Sequence, residues 1–214
     1  MGACAPDPEE IKPNPKKGEF LVFLAHLDRG LGLPVSPFFL EFLRLYGLQP
    51  HHLGANCFTQ LSCFVTLFEA YLGVWPCMEV VGMFFFLRAQ TTIEKLQDCG
   101  SVSIYTKSTP LPKIQLPNSI KKWQSSYFYV ENLTDIDHIG LPAFADALPA
   151  HKSWNRKPLV DPALEEILMG RLKELVEAGL TSREPWAPFG WDHVGCGRPL
   201  LPWRAAPTGA SPFG

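Results

Sequence analysis

Residues 20–76 run FLVFLAHLDRGLGLPVSPFFLEFLRLYGLQPHHLGANCFTQLSCFVTLFEAYLGVWP, and the fold class follows from this stretch. Its apolar residues recur every three or four positions, which is the period of an amphipathic helix. Gly30, Gly47 and Gly73 each follow such a run, at the position where glycine commonly ends a helix. The pattern predicts three successive helices over about residues 20–29, 37–46 and 55–72.

Local start signals support these helices. Ser36 before Pro37 is a cap followed by a first-turn proline, and Asn56 is a candidate cap for the third helix. Pro76 can open a fourth helix that runs to Leu87. The segment Val80–Leu87 is also compatible with a buried strand, since short apolar runs are ambiguous, but its position after a Trp-Pro pair favours a helix.

Beyond Gly100 the period shifts towards two. Residues 101–106 and 126–130 alternate or are rich in β-branched and aromatic residues, and they predict two strands that pair with each other. Residues 131–160 contain scattered prolines and predict a long surface excursion with one short helical turn at most. Asp161, Pro162 and Gly179 then bracket an amphipathic helix.

The chain is therefore predicted to be mainly α (α+β): a compact helical domain with a small two-stranded β pairing and irregular Pro/Gly-rich tails. Residues 1–18 carry four prolines among charges and predict a disordered lead. The predicted domain covers residues 19–184. Residues 185–214 lose all periodicity and predict an irregular tail rich in proline, glycine and tryptophan.

Composition restricts the class of protein. The chain has 214 residues, 46% hydrophobic and 19% charged, with a formal net charge of −2, so it is neither a disordered polyelectrolyte nor a strongly basic nucleic-acid binder. Six cysteines without a C-x-x-C spacing predict reduced thiols. Neither a signal peptide nor a membrane span is expected, which predicts an intracellular protein and leaves nucleus or cytoplasm open.

No catalytic or metal-binding motif is complete. The nearest ligand grouping is His51, His52, Cys57 and Cys63, which fits no zinc pattern, and His193 with Cys196 lacks further partners. A nucleophile elbow and a phosphate loop are both missing. We therefore expect no enzyme activity, no catalytic residue, no metal and no cofactor.

One segment has the residue types of a nucleic-acid site, in which cations meet phosphates and aromatic rings stack on bases. Its residues are Lys121, Lys122, Trp123, Tyr127 and Tyr129. The same composition is more common in a core strand with a charged edge, which discourages pairing between sheets. We keep the segment as a candidate and expect the core role.

Several ordered blocks closely resemble the gypsy-type transposon domain that recurs in grass genomes. The hallmarks are G-L-P with S-P-F, then L-x-P-x-x-L-x-x-N, then W-P, all within residues 20–76. Later blocks are FFFLRAQTT (84–92), CGSVSIYTKS (99–108), PKIQLPNSIKKWQSSYFYVEN (112–132) and ELVEAGLTS (174–182). The resemblance covers about residues 19–184.

The resemblance implies a retrotransposon-derived plant protein and assigns no catalytic residues, because the family has none agreed. The protease, polymerase, knuckle and integrase motifs of gypsy elements are missing from the sequence. Relatives continue past the last helix into a basic helical stretch, whereas this chain passes into REPWAPFGWDHVGCGRPLLPW (183–203), which suggests truncation or a shifted frame.

Three hypotheses about function follow. The leading one is a non-catalytic structural or protein-interaction module that binds itself or a protein partner. The second is a nucleic-acid-binding domain of a transposable element that uses the segment around Lys121. The third is a decayed element whose product has no selected role.

Overall fold

The structure is a computed structural model that describes residues 2–10, 12–16, 18–33, 35–90, 99–107, 111, 116–131, 154 and 160–178. About 47% of these residues are helical and 18% lie in strands. The fold class is therefore mixed α+β, with helix as the larger share.

The secondary structure begins and ends as follows. The helices are α1 (Leu24–Asp28), α2 (Pro37–Tyr46), α3 (Ala55–Thr66), α4 (Met78–Phe84) and α5 (Pro162–Glu177). A π-helix (Leu67–Leu72) continues α3, and two 3₁₀ turns are formed by Pro50–His52 and Trp123–Ser125. The strands are β1 (Gly2–Cys4), β2 (Glu19–Phe23), β3 (Phe85–Ala89), β4 (Val102–Thr106) and β5 (Tyr127–Glu131).

The strands form two separate antiparallel sheets. In the first sheet β5 is central, with β1 on one side and β2 on the other. The second sheet is the pair β3–β4, in which Phe86 lies opposite Tyr105 and Leu87 opposite Ile104. Both expected strands at 101–106 and 126–130 exist, but the prediction that they pair with each other is wrong.

The first sheet is buried on both faces. Alternate residues of β2 and β5 pack into the main core, among them Val22 and Val130. The residues between them pack into a smaller group that we call the sheet cluster, which consists of Leu21, Phe23, Cys99 and Tyr129 with Cys4, Trp123 and Tyr127 against it. Since side chains of a strand point alternately to opposite faces, a doubly buried strand appears as a continuous apolar run.

That burial explains the error at residues 20–23, where a helix was predicted. The apolar run EFLVF is strand β2, and the helix begins only at Leu24 and lasts five residues. Periodicity alone does not distinguish a short, fully buried strand from a buried helix segment.

The fourth predicted helix is also only partly correct. It begins at Met78 rather than Pro76, and it ends at Phe84 because the chain then enters β3. The alternative prediction, a buried strand over Val80–Leu87, is correct for residues 85–87. Because the predicted helix covered residues 85–87, the segment 126–130 was the only predicted strand left to pair with β4.

The predicted lead, residues 1–18, is only partly irregular. Gly2–Cys4 form β1 and pair with β5 through Ala3 opposite Val130. The backbone N–H of Asn14 donates a hydrogen bond to the Tyr129 hydroxyl, with 2.8 Å between nitrogen and oxygen. One part of the proline-rich lead thus belongs to the first sheet, and another part is hydrogen-bonded to it.

The other helices agree with prediction to different extents. Ser36 caps α2 by accepting from the backbone N–H of Phe39 at 3.2 Å, and Gly47 ends it at φ 64°, as expected. Helix α3 is capped by Gly54 and not by Asn56, whose side-chain amide instead donates to the Pro117 carbonyl at 3.2 Å.

The last helix and the preceding excursion fall partly outside the described residues. Asp161 Oδ1 accepts from the N–H of Ala163 at 2.8 Å, which confirms the predicted start of α5, whereas Gly179 and the tail 185–214 lie outside the described residues. Trp154 lies within the predicted surface excursion, yet it is buried and its Nε1 donates to the Tyr46 carbonyl at 3.0 Å. The rest of 132–159 lies outside the described residues.

Helix α5 offers a stabilising substitution. Gly170 lies in its interior, and a Cβ added there meets no heavy atom within 4 Å. Because glycine loses more backbone freedom on folding than alanine, Gly170→Ala should raise the free energy of unfolding by about 0.5 to 1 kcal/mol. Urea unfolding of the full chain measures this, and an unchanged or lower midpoint would contradict the prediction.

Candidate functional site

The two lysines of the predicted nucleic-acid segment lie on an exposed turn. Lys121 and Lys122 precede the 3₁₀ turn Trp123–Ser125, and Lys122 has a left-handed backbone with φ 54°. Both side chains are exposed. They are therefore accessible to an anionic partner.

The rings of the same segment pack inwards. The centroid of Trp123 lies 4.9 Å from that of Phe23 in an edge contact and 5.1 Å from that of His26. The Tyr127 ring lies 5.9 Å from Phe23. Trp123 and Tyr127 are only partly exposed, so the structure separates the exposed cations from the aromatic rings.

Tyr129 is hydrogen-bonded to the N-terminal lead. Its ring is 5% exposed, and its hydroxyl donates to the Glu10 carboxylate and accepts from Asn14. Burial, and then the hydrogen bond with Glu10, raise the pKa of Tyr129 above its ordinary value. The phenol therefore remains protonated within the sheet cluster.

His26 is a buried polar residue that the sequence analysis did not single out. It is fully buried, and neither ring nitrogen has a hydrogen-bond partner among the described residues. The imidazole lies 4.3 Å from the Phe58 ring centroid and 5.1 Å from that of Trp123. Burial lowers the pKa of His26 to about 3, although the nearby Leu53 backbone acts in the opposite direction. It is held as a neutral aromatic ring.

The candidate metal ligands have structural roles. The rings of His51 and His52 lie 4.2 Å apart in the 3₁₀ turn, and His52 Nδ1 accepts from the backbone N–H of Gln49 at 3.1 Å. Burial raises the pKa of both the Cys57 and the Cys63 thiols to about 12, which disfavours the thiolate that binds metals. Within the described ranges no three His, Cys, Asp or Glu side chains are grouped to hold a metal ion.

The cysteines in the described part of the chain form no disulfide. They are Cys4, Cys57, Cys63, Cys77 and Cys99. His193 and Cys196 lie outside the described residues. In that same part of the chain, none of the helices is both long and apolar enough to cross a membrane.

An exposed cluster of a different kind lies on the outer face of β3–β4. Phe86 and Tyr105 stack with their ring centroids 5.4 Å apart and their planes at 22°. The guanidinium carbon of Arg88 lies 5.9 Å from the Phe86 centroid and 5.7 Å from that of Tyr105. We call Phe86, Arg88 and Tyr105 the outer-face cluster.

A second exposed group surrounds the junction of the π-helix with α5. Arg171 donates to the Leu72 carbonyl and so ties α5 to the end of the π-helix. In and beside the two segments that this bond joins, Tyr71 is 37% exposed, Trp75 52% and Ile167 46%. We call these three residues the junction patch. Large apolar side chains grouped on a surface are typical of binding sites.

The described fold and surfaces define a small α+β domain with two exposed groups of large side chains. Comparison with known proteins adds one family: residues 21–89, about a third of the chain, match the model described as "Putative gypsy type transposon". No curated protein and no solved structure matches the chain.

The match supports the gypsy-type resemblance over part of its predicted extent. It spans β2, α1 to α4 and β3, and ends at Ala89. The blocks at 99–108, 112–132 and 174–182 lie beyond it, so their resemblance stays a prediction. The plant origin and the domain boundaries at 19 and 184 stay predictions as well.

Proposed function

We propose that the chain is a retrotransposon-derived, non-catalytic module that acts by binding protein, in the first instance another copy of itself. The match of residues 21–89 to a transposon-related family supports the origin. The expectation that the chain is not an enzyme is part of this proposal.

The observation that carries the binding role is the junction patch. Trp75 is a large side chain and remains half exposed, and Tyr71, four positions earlier in the chain, is exposed as well. Trp and Tyr are enriched among the residues that contribute most of the binding energy at protein interfaces. The neighbouring Arg171 can hydrogen-bond at the rim, since interface cores are apolar and their rims polar.

Trp75→Ala should weaken self-association. Truncation of a central aromatic anchor costs about 2 kcal/mol or more, which is roughly 30-fold in Kd. The measurement is size-exclusion chromatography with light scattering on the full chain over a dilution series. The full chain is needed because β1 belongs to the first sheet.

Leu45→Ala is the matched control. Leu45 is 56% exposed on α2 and is not part of the junction patch, so its truncation also removes exposed apolar surface. We expect this variant to associate like the wild type. A wild-type chain that is monomeric at every concentration, or equal losses in both variants, would contradict the proposal.

The second candidate function is nucleic-acid binding through Lys121 and Lys122, as the segment's composition predicts. The exposure of both lysines supports it. The packing of Trp123 and Tyr129 against the sheet cluster gives those rings another role. Recording absorbance at two wavelengths in the same chromatography detects bound nucleic acid.

A further inference from the structure

The outer-face cluster arises from the alternation of strands β3 and β4. Their inward side chains include Leu87 and Ile104, which are at most 4% exposed and belong to the main core. Their outward side chains are Phe86 and Arg88 on β3 and Ser103 and Tyr105 on β4. The sheet thus presents to solvent one cation and a stacked pair of rings, of which Tyr105 is exposed and Phe86 partly exposed.

The outward face of β3 and β4 carries one charge. Of its residues Phe86, Arg88, Ser103 and Tyr105, only Arg88 is charged, and it is exposed. Among the described residues Arg88 has no carboxylate within ion-pair distance, and its contacts are with the two rings. The two strands therefore present a cation and no carboxylate of their own on this face.

Cross-strand packing explains only part of this arrangement. A directly opposed aromatic pair stabilises an antiparallel sheet, and a cation over the rings adds to it. Such packing does not require an exposed guanidinium, nor a tyrosine that remains 38% exposed. Rings on a sheet face beside a cation are the combination with which proteins stack unpaired bases and neutralise phosphates.

We propose that the outer face of β3–β4 binds single-stranded nucleic acid, with a base stacked on the Tyr105–Phe86 pair and a phosphate paired with Arg88. This goes beyond the proposed protein-binding function and uses a different surface. It also differs from the Lys121 segment, whose lysines are exposed but whose rings pack inwards. Duplexes are disfavoured, because their bases are already stacked and paired.

The test is a fluorescence-anisotropy titration of the full chain with a labelled thymidine oligonucleotide. Tyr105→Ala should raise Kd about 5- to 150-fold, because stacking contributes about 1 to 3 kcal/mol per base. Arg88→Gln should reduce the slope of log affinity against log salt by about 0.7, the value for one phosphate of a single strand.

Three controls keep the result interpretable. Tyr105→Phe retains the ring and should bind like the wild type, which separates stacking from misfolding of the alanine variant. Lys173→Gln removes one exposed cation on α5 and should leave the affinity close to that of the wild type, whereas Lys121→Gln tests the other candidate segment. Circular dichroism checks that each variant folds.

Several results would overturn the proposal. These are no binding of the oligonucleotide at low salt, unchanged affinity in Tyr105→Ala, a larger loss in Lys121→Gln than in Arg88→Gln, or equal affinity for the matching duplex or for polyglutamate. Loss of self-association in Trp75→Ala is measured separately, so either proposal can fail without the other.

Discussion

Gly100→Ala is expected to lower the free energy of unfolding by about 2 to 4 kcal/mol. Gly100 has φ +68°, a left-handed conformation that alanine adopts only with strain. An added Cβ would also lie 2.4 Å from Cζ2 of Trp123. That ring packs against both Phe23 and His26, whose rings also contact each other, so it has little room to move.

Gly73→Ala separates the two causes in the same urea-unfolding measurement. Gly73 has a similar φ of +63°, but a Cβ there meets nothing within 4 Å. It should lose only about 1 kcal/mol, which is the backbone contribution. If both variants lost the same stability, close contact with Trp123 would not be the reason for glycine at position 100.

Acidification should destabilise the fold through His26. Its pKa is about 3 in the folded state and 6.5 as the ordinary value, so between these pH values the unfolded chain binds one proton more. The stability that neutral His26 provides is complete above pH 6.5 and is lost as the pH falls towards 3. Each pH unit costs up to about 1.4 kcal/mol, or about 2 kcal/mol by pH 5.

His26→Phe isolates this contribution. Phenylalanine suits a site lined by Phe23, Phe58 and Trp123, and it removes two buried nitrogens that have no partner in the described part of the chain. Unfolding free energies of both proteins at pH 7 and pH 5 give the result. The wild type should lose about 2 kcal/mol more than the variant, and parallel losses would show that His26 is not the titrating group.

Gly100 and His26 both lie against the same side chain, Trp123. Trp123 contacts Phe23 and His26 from the N-terminal part of the chain and lies against Gly100 from the segment before β4. It therefore joins three segments that are distant in sequence. The aromatic residue that resembled a nucleic-acid contact in the sequence is placed to hold the first sheet against α1.

Helices with both ends marked were predictable from sequence. Helix α2 has Ser36 and Pro37 at its start and Gly47 at its end, and α5 has Asp161 with Pro162. Caps and first-turn prolines act through backbone groups within a few residues, so their effect does not depend on distant contacts. The strands β4 and β5 were also recognisable, because their β-branched and aromatic composition is local.

Strand partners were not predictable in the same way. Strand β2 was interpreted as part of a helix, β3 as a helix end and β1 as part of a disordered lead. Each is a short apolar or irregular segment whose conformation is fixed by backbone hydrogen bonds to a distant strand. Since those partners were assigned elsewhere, the only pairing left was the wrong one between β4 and β5.

The candidate sites also depend on both local sequence and contacts between distant residues. The residue types of the Lys121–Tyr129 segment indicated cations beside rings, but the lysines lie on an exposed turn while the rings pack into the sheet cluster. Conversely, Arg88 was not a candidate, because a helix through Leu87 gives no reason to place it beside Tyr105. Their proximity depends on the register that sets Phe86 opposite Tyr105.

The sequence by itself determined the capped helices, the presence of β4 and β5, and the likeness of residues 21–89 to a gypsy-type transposon family, since local backbone chemistry and residue order suffice for these. Only the tertiary structure decided which strands pair, which aromatic rings are buried and which remain at the surface. The physical reason is that pairing and burial join residues far apart in the chain, and their free energy appears only when those residues meet.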